Sequence, residues 1–268
     1  MMLIVLVLLL SLGAWAQVWD LTAMDWSLDG VHMLLVSRGQ LYVGLAPEGR
    51  ALRPLYAGFW VEWARFAGTD QLVFSAPLPE GGWGLWRGTL AQDPPSLLYT
   101  SSVPLRWPTA SWDGARVAFV EDWDRLMVLD LRTGSAELAV GGAWAKATPE
   151  FAPHGLGLLF AGLLLQEGEG SWELFHYDLR SRDLVQLTVD PYFDWCPRVS
   201  PDGLWVAFVS NRAGAPDIWV LPLAGGEPFP VTADPWEDAF PTWAPDGTVL
   251  AYASRRPQGW AFLTAGAY

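Results

Sequence analysis

Three groups of residues in this sequence could do chemistry. The first is a carboxylate held in a repeated turn, seen in VSPDGLWVAFVS (199–210) and again in WAPDGTVLAYAS (243–254). A carboxylate so placed could bind a metal ion or act as an acid or base. The second is a set of aromatics interleaved with acids: Trp60, Glu62, Trp63, Trp107, Trp144, Tyr192, Asp194, Trp195, Trp236, Glu237 and Asp238. Their rings offer large, rigid contact area, and the acids attract cationic groups. The third is the small stock of nucleophiles and bases: Cys196, the one cysteine, and three histidines, His32, His154 and His176.

A repeat supplies the frame that positions them. Weaker relatives of the opening motif are WSLDGVHMLLVS (26–37), FAGTDQLVFSA (66–76), SWDGARVAFVE (111–121) and FAPHGLGLLFAG (151–162). With the two strong copies they place turn glycines at Gly30, Gly68, Gly114, Gly155, Gly203 and Gly247. The period is about 42 residues, the size of a four-stranded propeller blade. After each copy comes a second apolar strand with the alternation of a half-buried strand, such as RLMVLDLRTG (125–134) and DIWVLPLAGG (217–226). A shorter strand follows in five of the units.

The chain therefore predicts an all-β, six-bladed β-propeller of four-stranded blades. The sixth unit lacks its last strand, and QVWDLT (17–22) resembles the short strands before the other units. That segment is expected to complete the last blade and leave no unpaired edge. Residues 17–268 are read as a single domain.

In this frame the Asp-Gly turns join first to second strands on one rim, and their carboxylates accept backbone N–H bonds while glycine takes positive φ. Repetition around a ring favours that structural role over catalysis. The aromatic connectors, YAGFWVEW (56–63), SSVPLRW (101–107), GGAWAKA (141–147), VDPYFDW (189–195) and ADPWEDAF (233–240), gather on the opposite rim. They predict a binding mouth around the central channel, against the alternative that the rings wedge between blades. The histidines fall in three different places and do not converge, there is no Gly-x-Ser-x-Gly elbow, and Cys196 reads as a small core residue.

The apolar run that opens the chain ends in Ala14-Trp15-Ala16 and reads as a signal peptide of residues 1–16. No Lys or Arg precedes it, which keeps an uncleaved anchor as the alternative. No second apolar stretch follows, so stable membrane insertion is not expected after cleavage. A single cysteine forms no intrachain disulfide. The net charge of −13, from 29 acidic and 16 basic residues, argues against nucleic acid and anionic lipid as partners.

The copies PRVSPDGLWVAFVSNRAGAPDIWVLPLAGGEPFPVT and PTWAPDGTVLAYASRRPQGW closely resemble the repeat of TolB-like propellers. The resemblance is fullest over residues 197–260 and fades towards the N-terminus. It implies a periplasmic or secreted protein that binds a protein or peptide of the bacterial envelope, without enzymatic activity, as a monomer and with no cofactor. TolB itself has an additional N-terminal α/β domain, for which this chain has no room. Related propellers gate peptidases or form the body of polysaccharide lyases. The alternative is therefore a carbohydrate-active or metal-dependent propeller enzyme or lectin, with Ca2+ as the ion its channel carboxylates could hold.

Overall fold

The computed structural model describes residues 21–46, 50–166, 169–257 and 259–266. Each Asp-Gly or Gly-containing turn joins two antiparallel strands, and six antiparallel sheets follow one another along the chain. The first blade is β1 (Leu21–Trp26), β2 (His32–Ser37), β3 (Gln40–Leu45) and β4 (Arg50–Leu55). The second is β5 (Trp63–Phe66), β6 (Gln71–Pro77), β7 (Trp83–Thr89) and β8 (Ser96–Ser101). The third is β9 (Leu105–Ala110), β10 (Arg116–Glu121), β11 (Arg125–Asp130) and β12 (Ser135–Val140). The fourth is β13 (Lys146–Phe151), β14 (Gly157–Gln166), β15 (Glu169–Asp178) and β16 (Leu184–Gln186). The fifth is β17 (Asp194–Val199), β18 (Trp205–Ser210), β19 (Asp217–Pro222) and β20 (Phe229–Pro230). The sixth has three strands among the described residues, β21 (Glu237–Trp243), β22 (Val249–Arg256) and β23 (Gly259–Gly266).

The second strand of each blade is almost wholly apolar because blades stack face to face and cover it on both sides. Phe74, Phe119, Phe160 and Phe208 are fully buried at equivalent places in successive blades. Each such ring stabilises the fold by about 1.5–3 kcal/mol relative to exposure.

The Asp-Gly turns are built as the composition predicts. In the fifth blade Ser200 Oγ donates to Asp202 at 2.5 Å, Leu204 N–H donates to the same carboxylate at 3.0 Å, and Gly203 has φ +74°. The Ser200 hydroxyl holds the Asp202 carboxyl below the usual range. The same bonds recur at Ser27–Asp29 and Ser111–Asp113. The prolines of these turns reach across to the next blade. A Cβ added to Gly203 would lie 3.7 Å from Pro153, one on Gly247 3.7 Å from Pro201, and one on Gly30 3.7 Å from Pro245.

That last contact, from the sixth blade to the first, closes the ring by packing. Leu21, Met24, Met33 and Leu35 share one core cluster with Ala251, Ala253 and Phe262. Of the segment expected to complete the sixth blade, residues 17–20 lie outside the described residues. Leu21 and Thr22 begin β1, with Leu21 opposite Ser37. Residues 1–16, read as a signal peptide, also lie outside them.

Candidate functional site

The innermost strands β1, β5, β9, β13, β17 and β21 each place one side chain in the channel: Asp25, Arg65, Thr109, Glu150, Arg198 and Thr242. All but Arg65 stand five positions before their turn glycine. The order acid, arginine, threonine occurs twice around the ring. Arg65 lies 3.3 Å from Asp25 and 2.7 Å from Glu150; Arg198 lies 3.4 Å from Asp25 and 3.2 Å from Glu150. Thr109 and Thr242 add hydroxyl bonds to Glu150 and Asp25. Two guanidiniums face two carboxylates, and the four groups plug the channel between the cavities that open on either rim. Burial pushes the Glu150 carboxyl up to about 7 against the pull of Arg65, and raises Asp25 for the same reason.

On the connector side of this plug four innermost strands carry the same irregularity. Trp107-Pro108, Thr148-Pro149, Cys196-Pro197 and Phe240-Pro241 each put a left-handed residue (φ +49°, +48°, +58° and +55°) before a proline. The pairing register shifts at each of them. Proline has no N–H, so it suits a place where the ladder is interrupted. The bulges turn Trp107, Thr148, Cys196 and Phe240 towards the mouth. Burial pushes the Cys196 thiol up to about 12, which removes it as a nucleophile at neutral pH.

Beside this mouth lies a cleft of about 310 Å3, lined by Trp107, Trp123, Ala147, Trp172, Phe193 and Trp195. Trp107 packs between Trp63 (5.2 Å between ring centres) and Trp123 (5.3 Å, edge to face). Trp172 stands on the long β14–β15 hairpin, where it bridges in parallel to Phe193. Trp123 occupies the loop between β10 and β11, where Asp122 and Trp123 both have positive φ, +50° and +71°. The matching loop of the first blade uses Arg38-Gly39, with glycine at the second left-handed place. A tryptophan there carries roughly 1–2 kcal/mol of backbone strain.

Lys146 holds that strained loop in place. Its side chain is fully buried, and its ammonium donates to the carbonyls of Asp124 (2.6 Å), Gly142 (2.8 Å) and Trp144 (2.9 Å). Its backbone N–H donates to Trp123 O at 2.6 Å. One residue thus satisfies carbonyls from the Trp123 loop and from the connector into the fourth blade.

Of the candidates named from sequence, the structure gathers Trp63, Trp107 and Trp195 at the mouth. Tyr192 is exposed on the rim, 5.8 Å from the Arg212 guanidinium. Trp60 lies over Gly39 of the first blade and is 61% exposed. Glu62 is half-buried, and burial raises its carboxyl against the opposing charge of Arg106. Trp144 packs on Phe160 and Phe175 inside the fourth blade. Trp236 lies under Arg256, and Glu237 makes an exposed ion pair with Arg255 at 3.0 Å.

Asp194 and Asp238 are fully buried and belong to a joint between blades. In one copy Arg212 contacts Asp190 (3.0 Å) and Asp194 (2.7 Å), and Thr188 donates to Glu173 at 2.8 Å. In the next copy, 44 residues on, Arg256 contacts Asp234 (2.9 Å) and Thr232 donates to Asp217 (3.0 Å). Each joint ties the third strand of one blade to the first two strands of the next. Burial pushes Asp194 up, and Asp238 up to about 6. Glu173, Asp190 and Asp194 each bring one oxygen within 4.8 Å of the others, a donor set that suits Ca2+, although Arg212 already pairs with two of them.

Trp123, Trp172 and Phe193 were not singled out from sequence. Their signal was available: the second-to-third strand hairpins lie on the same rim as the connectors, and two of these three tryptophan and phenylalanine residues sit in or beside such hairpins. The channel plug was also missed, although a polar residue five places before the glycine recurs in five copies.

Residues 93–265 match the TolB beta propeller domain family. An uncharacterised protein of Agrobacterium fabrum is 26% identical over 208 residues, which cover 71% of this chain and 66% of that protein. The chain thus spans just under two thirds of that relative's length. Among solved structures, a protein of Agrobacterium tumefaciens described as TolB is similar at a TM-score of 0.71 and 19% identity, over 93% of this chain and 91% of that one. An oligogalacturonate lyase in complex with manganese is similar at 0.65 and 15% identity, over 92% of this chain and 76% of that one. At such identities the two solved structures share the fold alone. The family match spans more than half of the sequence and coincides with the blades it describes: this chain belongs to the TolB beta propeller domain family.

Proposed function

We propose that this chain is an exported, non-enzymatic binding protein that holds a protein or peptide partner of the cell envelope on its connector rim. The observation that carries the reading is the cleft of Trp107, Trp123, Trp172, Phe193 and Trp195, open on one side of a channel whose centre is filled. Exposed Tyr192, Phe193 and Trp123 are rigid anchors of the kind that dominate binding energy at interfaces. The net charge of −13 does not favour nucleic acid. The membership in a TolB-type family supports a periplasmic location.

The test is crosslinking and capture of envelope proteins by the full chain and by Trp195→Ala and Trp123→Gly variants. Partners lost in both variants support the reading. A partner set that is the same with and without these rings overturns it.

A second reading, a carbohydrate-active or metal-dependent propeller, is favoured by the Glu173, Asp190 and Asp194 oxygens and by the fold shared with a manganese-bound lyase. Tryptophan fluorescence titrated with oligogalacturonides, Ca2+ and Mn2+ decides it, and flat curves dispose of it.

A further inference from the structure

We infer that the anchor a partner places in the aromatic cleft is an arginine side chain of a basic, extended peptide, an inference that rests on the binding role proposed above. The cleft walls are rings and one methyl group, with no hydroxyl, amide or acid among the lining residues. A sugar needs polar groups beside its stacking platform, and a primary ammonium needs acceptors on three sides. A guanidinium differs from both. It is weakly hydrated, stacks flat on an indole, and presents its N–H fork only at its edge.

The acceptors for that edge stand at the border of the cleft. Asp122, which is exposed, and Asp124, which is half-buried, flank Trp123. Asp122 is exposed and enters no ion pair among the described residues. The chain as a whole carries −13, which draws a cationic segment from solution.

The chain builds the same arrangement for its own arginines. Arg106 lies 4.4 Å over Trp123. Arg212 lies 5.1 Å over Trp219 with its Nη2 on Asp190 and Asp194, and Arg256 lies 5.5 Å over Trp236 with its Nη2 on Asp234. Arg106 takes one face of Trp123. Trp107, Trp172, Phe193 and Trp195 carry no stacked cation among the described residues, so four of the five rings of the cleft are without an arginine, with exposed Asp122 beside the fifth.

The experiment is fluorescence anisotropy of labelled Gly-Ser peptides that differ only at a central pair of arginine, lysine, citrulline or leucine residues, titrated with the full chain. Citrulline keeps the shape of arginine and removes its charge. The arginine peptide is expected to bind roughly tenfold tighter than the citrulline peptide. Asp122→Asn is expected to weaken it roughly threefold, and higher salt to weaken it further. A lysine peptide that binds as well as the arginine peptide overturns the guanidinium assignment. A citrulline or leucine peptide that does so makes the anchor apolar and leaves the aromatic mouth standing. If no peptide binds, the arginine anchor falls. The binding role then falls with it only where envelope-protein capture is also indifferent to Trp195→Ala.

Discussion

Asp25 and Glu150 stand at equivalent positions three blades apart, and the same two guanidiniums, Arg65 and Arg198, contact both. The ring of six blades thus has a two-fold arrangement at its centre. The plug makes stability depend on pH. The Glu150 carboxyl, ordinarily at 4.5, is raised to about 7 by burial, so the folded chain takes up a proton that the unfolded chain does not hold in that window. Between those values stability falls as pH rises, by up to about 3 kcal/mol if Glu150 acts alone. Urea unfolding from pH 4.5 to 8 should show this slope, and Glu150→Gln should flatten it. An unchanged slope in the variant would assign the pH dependence elsewhere.

Trp123 trades backbone comfort for position. At φ +71°, glycine is unstrained and alanine is not. Trp123→Gly should therefore be about 1 kcal/mol more stable than Trp123→Ala, with both equally poor at binding a partner. Equal melting temperatures would show that the loop relaxes without strain.

Lys146→Met keeps the unbranched stem of the side chain and leaves the carbonyls of Asp124, Gly142 and Trp144 without their shared donor. The expected loss is about 2–4 kcal/mol, with faster hydrogen exchange at residues 122–124 than elsewhere in the third blade. Exchange that rises evenly over the blade would deny Lys146 its local role.

Asp202 supplies the control. Asp202→Ala removes two acceptor bonds in a turn on the rim away from the aromatic cleft. It should lower stability by about 1–2 kcal/mol and leave partner capture unchanged. Loss of capture at native temperature would return Asp202 to the list of functional residues.

The blades were legible because their signals are local. An apolar strand, a Gly-containing turn and a second strand repeat with a fixed period, and each of the six became a sheet. The mouth was half legible. Trp63, Trp107 and Trp195 announce themselves by standing just before or at the innermost strands. Trp123 was obscured because its loop looks like an ordinary polar hairpin, and what holds it at the cleft is tertiary: hydrogen bonds with Lys146 and Pro104 and the packing of Trp107 and Arg106. Asp194 and Asp238 misled in the other direction: a carboxylate in an aromatic connector reads as exposed, yet both are sealed at blade joints, one beside Arg212 and the other beside Ser254 and Thr232.

Those joints have a consequence for how such a ring grows. Glu173, Thr188, Asp190, Asp194 and Arg212 recur as Asp217, Thr232, Asp234, Asp238 and Arg256, each at the same interval. A recombination that removed residues 189–232 would bring Thr188 and Glu173 to Asp234, Asp238 and Arg256, and every partner in the joint would be of the right kind. Duplication of the same stretch would do likewise. The stretch 189–232 holds β17–β20 whole with the connector that leads into them, so the interchangeable unit is one blade with its incoming connector, cut where the joints match.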